Sequence, residues 1–131
     1  MIHNDIMKII QTSLDEPYEY GKNDCNLVVL KMIDLINGST TLSIREYSSI
    51  KEGIQGLKDE GWNHTGEIVE KYCDEVTHTI DGDIWLDDEN PLIMAVVASD
   101  RILAVDEDHQ SFKLQKKPKH GRYFRVRKGN G

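Results

Sequence analysis

The feature that most constrains this chain is a change of hydrophobic period near Trp62. Before it, apolar residues recur every three or four positions, as one face of a helix requires; after it they fall in short runs bounded by Asp, Asn, Gly or Pro. Ile2, Ile6, Ile9, Ile10 and Leu14 define an amphipathic helix over residues 3 to 14 that stops before Pro17. A second helix takes Asn23 or Asp24 as its N-cap, carries Leu27, Val28, Leu30, Met32, Ile33, Leu35 and Ile36, and stops at Gly38. It is the most apolar helix and is expected at the centre of the core. A third, capped by Ser48 or Ser49, turns Ile50, Ile54 and Leu57 inward and ends before Gly61. Gly53 and Gly56 weaken it by roughly 1 kcal/mol each.

Beyond Trp62, strands are expected over 75–80, 84–86, 92–98, 101–105, 111–114 and 122–127. Ser99-Asp100 is a two-residue hairpin link, and Gln115 to Gly121 is a longer polar loop. Helices followed by a run of strands make an α+β fold, with the N-terminal helices packed on one face of an antiparallel β-meander. The 131 residues suit one hydrophobic core. We read a single domain over residues 1–128 and a flexible end at 129–131.

No apolar run reaches the roughly 18 residues of a membrane span. The start, Met1-Ile2-His3-Asn4-Asp5, has an acid where a secretory signal has bases, so neither a membrane partner nor a signal peptide is expected. The net charge of −7 argues against nucleic acid as a partner, since phosphate binding needs a positive surface. That average hides an asymmetry. Between Asp81 and Asp108 nine acids face one base, Arg101, whereas Lys113 to Lys128 holds eight bases and no acid. Pairing between these neighbouring segments is the simpler expectation, and docking of the basic segment on an acidic partner is the alternative.

The chemically loaded residue is Cys25, at the start of the second helix. Unpaired N–H groups and the positive end of the helix dipole favour a thiolate there, which is what a sulfur nucleophile requires. Cysteine is also among the most often buried residues, so a small hydrophobe on an apolar helix is the competing reading. The other cysteine, Cys73, reads as buried, and both thiols are expected to be reduced. His64 and His78 with Asp81 and Asp83 match no established ligand spacing; neither a metal nor a cofactor is expected.

The run Tyr18-x-Tyr20-Gly21-x-x-Asp24-Cys25, the helix after it, and Gly82-Asp83-Ile84-Trp85 opening the strands resemble the NlpC-type cell-wall cysteine peptidases, a papain-like superfamily. The chain is similar in particular to small phage-encoded domains related to that family. The resemblance spans about residues 17 to 127 and implies a Cys25 helix packed on an antiparallel sheet. It also implies a histidine near the start of the strand after the Gly-Asp strand. The matching stretch, Asn90-Pro91-Leu92-Ile93-Met94-Ala95-Val96-Val97, has none. A cysteine nucleophile needs a base and the base an orienting partner, so the dyad is broken on this alignment. His78 and His109 remain as alternative bases; His3, His64 and His120 read as surface residues. Tyr18, Tyr20 and Trp85 are expected around the Cys25 helix as core or cleft walls.

Two functions follow from the resemblance. One is a catalytically degenerate domain serving as a virion or tail-assembly component of a phage, with other phage structural proteins as partners, located in the virion or in the host cytoplasm during assembly. The other is an active peptidase or amidase cleaving peptidoglycan stem peptides through a Cys25 thioester. A third reading is a small host-modulating protein that binds a bacterial partner through its acidic face.

Overall fold

The computed structural model describes residues 2–19, 22–39, 41, 50–90, 93–106 and 110–129. Among these the chain forms α1 (Ile2–Asp15), α2 (Cys25–Asn37), α3 (Ile50–Asp59) and α4 (Thr65–Tyr72), followed by β1 (Cys73–Val76), β2 (Ile84–Leu86), β3 (Met94–Ala98), β4 (Arg101–Val105), β5 (Phe112–Lys116) and β6 (Arg122–Val126). The class is α+β, as the change of period implies. No helix among the described residues is long and apolar enough to cross a membrane.

Local chemistry sets the helix ends. Asp24 adopts extended backbone and its carboxylate accepts the Leu27 N–H at 2.8 Å, so Asp24 is the cap and Asn23 is not. Gly38 closes α2 in the left-handed conformation, φ 82°, with its N–H on the Asp34 carbonyl. The serines expected to cap α3, and Tyr20 near Cys25, lie outside the described residues. So do Asn130 and Gly131 of the expected flexible end. Helix α4 was not expected. It has eight residues, includes Gly66, and has His64 as its N-cap, whose side chain makes no cap hydrogen bond, so its sequence carries few helix signals.

All strand pairs are antiparallel, in the order β1-β6-β2-β3-β4-β5. The meander therefore holds only from β2 to β5. The basic strand β6 is inserted between β1 and β2, with Phe124 opposite both Glu75 and Ile84. The strand expected over 75–80 is instead β1 at 73–76, and His78 lies beyond it in a bend. The chain leaves the sheet there because the Arg125 guanidinium holds the His78 carbonyl and the Asp83 carboxylate takes the Ile80 N–H.

Period-two alternation gives the sheet two apolar faces. Ile84, Leu86, Met94, Val96, Leu103, Phe124 and Val126 join α1, α2 and α4 in the main core, whereas Trp85, Ala95, Val97 and Ile102 form a smaller cluster on the opposite face. β3 is buried on both sides, which explains its uninterrupted apolar run. Helix α2 supplies the fully buried Val28, Val29, Leu30, Met32 and Ile33 and is the central helix, as expected.

The Gly82-Asp83 pair is a structural joint. Gly82 has φ 93°, and a Cβ there would stand 3.1 Å from Ile6. Its N–H bonds the Val97 carbonyl, while the Asp83 carbonyl accepts from Val97 N–H at 2.7 Å, so the pair locks the approach to β2 onto β3. The Asp83 side chain is buried and paired with Arg125 through two contacts of 3.1 and 3.0 Å. Other bases of the C-terminal segment reach different acids from those expected: Arg122 takes Glu70 and Glu75, and Arg127 takes Asp74, all on α4 and β1. Insertion of β6 beside β1 is the reason. Among the described residues, pairing with the acidic segment includes Arg125 with Asp83, the Lys113 charge acting on Asp106, and the loops, where His120 meets Asp87 and the Gly121 N–H meets Asp88.

Candidate functional site around Cys25

The approach to Cys25 is held by main-chain bonds. Pro17 bridges to Ser111, and the Tyr18 N–H donates to the Gln110 carbonyl at 2.9 Å, fastening this segment beside the start of β5. Asn23 is buried, and its amide donates to the carbonyls of Ser13, Glu16 and Pro17, tying the end of α1 to the start of α2. Asp24 then caps the helix and Cys25 occupies its first position.

The Cys25 thiol is partly buried and forms no disulfide. The Asn26 amide donates to its sulfur at 3.4 Å and the Tyr18 hydroxyl lies at 4.0 Å. A further hydrogen bond comes from the Met94 main chain. These three favour the thiolate, yet its pKa is raised above the ordinary value. Burial is the larger cause and the Asp24 carboxylate the second. The activation expected from a helix start is thus reversed. The cap that makes this helix begin here also engages the Leu27 N–H and sets a negative charge beside the sulfur.

Cys25 opens on a cavity of about 520 Å³. Tyr18, Asn26, Leu57, Thr65, Met94 and Trp85 are among its walls, so Tyr18 is a cleft wall as expected, whereas Trp85 lines the cavity from the sheet face opposite the Cys25 helix. The walls come from both faces of the sheet, with Met94 at the start of β3 and Val105 at the end of β4 between them. Tyr18 is set by its ring against Phe112, at 5.3 Å between centroids. Trp85 is set by its indole N–H on the His120 carbonyl at 2.9 Å.

None of the described histidines lines this cavity. His78 is exposed in the bend beyond β1, and the candidate base His109 lies outside the described residues. His3 is exposed and pairs with Asp81 at 3.0 Å, and His120 pairs with Asp87 at 3.1 Å. His64, expected at the surface, is half-buried, with Nδ1 lacking a hydrogen-bond partner. Among the described residues no group of three or more His, Cys, Asp or Glu side chains is placed to hold a metal ion. Cys73 is buried in the main core, and desolvation pushes its thiol up to about 12.

Sequence reasoning singled out Cys25, Tyr18 and Trp85 but missed Asn26, Thr65 and the part of Met94. Thr65 belongs to the unexpected α4. Met94 sits in the stretch where the resemblance places an imidazole, and only folding brings its main chain to the sulfur.

No curated protein and no solved structure matches the chain. One family model matches residues 2–126, nearly its whole length, and the chain belongs to that family, described as a domain of unknown function (DUF6950).

Proposed function

We propose that the chain is a non-hydrolytic domain on an NlpC-like scaffold, used as a structural or assembly component of a phage particle. The observation that carries the non-hydrolytic part is the surroundings of the Cys25 sulfur: Met94 approaches it at the start of β3, where the resemblance calls for a histidine, and burial and the Asp24 carboxylate push its pKa up. Nucleophilic catalysis by cysteine requires the thiolate or a base that generates it. The assembly role rests on the resemblance of the Tyr18 to Cys25 motif to phage-encoded domains, with other structural proteins of the particle as partners.

A hydrolytic reading is favoured by one observation. Tyr18, Asn26 and the Met94 main chain converge on the sulfur, as donors to a thiolate would. It needs His109 as the base. Incubation of the protein and its Cys25→Ala variant with peptidoglycan stem peptides separates the two. We expect no cleavage by either protein, and recovery of the chain in purified particles by mass spectrometry. Cleavage that disappears in Cys25→Ala would establish the hydrolase, and absence of the chain from particles would remove the assembly role.

A further inference from the structure

We infer that the cavity beside Cys25 binds an aliphatic monocarboxylate, with the chain along its apolar wall and the carboxylate at Lys116. This deepens the non-hydrolytic reading and rests on it, since no described histidine lines the cavity and a ligand beside Cys25 would be held and not cut. The volume of about 520 Å³ falls within the roughly 300 to 1,000 Å³ typical of small-molecule sites. Leu57, Ile93, Met94, Ile102 and Ala104 give the cavity apolar lining from α3, the β2–β3 connection, β3 and β4, on both faces of the sheet.

The polar groups on the wall differ in what they can offer a ligand. Asp24 is buried, and its carboxylate is committed to the Leu27 N–H. The Cys25 sulfur already accepts hydrogen bonds from Tyr18 and Asn26. Gln115 donates its amide to the Val105 carbonyl at 3.1 Å. Lys116 is exposed and makes no ion pair among the described residues. An apolar wall with one available cation and no available anion selects an anionic amphiphile over a cationic one. The mainly apolar lining also disfavours a ligand rich in hydroxyls or amides, since Tyr18, Asn26, Thr65 and Asn90 are its few further polar side chains. Ile93 is 46% exposed, so the cavity presents an apolar side chain to incoming ligand.

The test is calorimetric titration of the full chain with decanoate and with decylamine, both kept below their aggregation limits. We expect saturable decanoate binding at one site and decylamine at least about fivefold weaker, the contrast an exposed charge supports. Two exposed positions allow variants that leave the core intact. Ile93→Asp, which removes apolar surface and adds a like charge, is expected to weaken decanoate about tenfold. Lys116→Met is expected to weaken it about threefold and to narrow the gap to decylamine. No saturable decanoate binding, equal affinity for the two compounds, or decanoate affinity unchanged in both variants would overturn the assignment. Decanoate has no scissile bond, so a failed titration removes the ligand and leaves the non-hydrolytic reading standing. Cys25-dependent cleavage of stem peptides removes that reading by a separate measurement.

Discussion

Two charged residues beside the strands show how burial decides what a side chain does here. Asp83 is 1% exposed and accepts from Arg125 and from the Ile80 N–H, whereas the Arg125 side chain is 40% exposed. Removing either partner therefore has unequal effects. Asp83→Asn keeps an acceptor and leaves a guanidinium that water can still reach, so a loss of about 1 to 2 kcal/mol is expected. Arg125→Met strands a buried carboxylate and is expected to lose about 3 kcal/mol. Urea unfolding of the two variants checks the order; equal losses would mean that the pair is solvated as a unit. The Gly-Asp dipeptide that served as a family signature in the sequence thus acts in the fold as a joint between α1, β3 and β6.

At the scale of elements, the glycines that end or turn them separate backbone strain from crowding. Gly38 and Gly121 both have left-handed backbone, φ 82° and 87°. A Cβ at Gly38 meets nothing within 4 Å, whereas one at Gly121 would lie 2.6 Å from the Leu86 carbonyl and clash with the Trp85 indole. Gly38→Ala is expected to destabilise by about 1 kcal/mol, the left-handed penalty alone. Gly121→Ala adds overpacking and is expected to exceed about 3 kcal/mol. It should also alter Trp85 fluorescence by displacing the His120 carbonyl that holds the indole N–H. Thermal unfolding with a fluorescence readout checks both, and similar losses would show that the β5–β6 loop yields to the added carbon.

The same elements show what could be read from the chain and what could not. Helices α1 and α2 announce themselves by period and caps, and β3 by its apolar run, because those signals are local. Helix α4 is short, weakly capped and stabilised by burying Ile68 and Val69, a tertiary effect with little local trace. The insertion of β6 between β1 and β2 is a matter of long-range pairing, which alternation within a strand does not encode. At the site, Cys25 and its cap were legible from the helix start. The reversal of its acidity was not, because desolvation depends on what the rest of the chain packs over the sulfur.

For the whole molecule, the titrating groups define a pH window. Asp81, Asp87 and Asp106 are held below their ordinary value of 3.8, chiefly by the His3 hydrogen bond for Asp81 and by main-chain N–H groups of Asn90 and Gln110 for the others. Depressed carboxylates stabilise the fold above the unfolded value, and that contribution is lost as pH falls through the lower folded ones. The thiols act in the opposite direction. Cys73 is raised from 9.0 to about 12 by burial, so the unfolded chain ionises first and stability declines as pH rises from about 9. Thermal midpoints measured across pH should stay level between roughly 5 and 8 and fall on both sides. Cys73→Ala should flatten the alkaline fall, and an unchanged fall would assign it to other groups.

The central proposal is that Cys25 marks a hydrolase-like scaffold without a working nucleophile. Its most direct test is the pH dependence of iodoacetamide alkylation at Cys25, followed by peptide mapping so that Cys73 is resolved separately. Because burial and Asp24 raise the thiol, alkylation at pH 7 should be slower than that of a free cysteine, with a midpoint above 9.0. Rapid alkylation at neutral pH with a midpoint below about 7, the signature of a cysteine held as thiolate, would contradict the account.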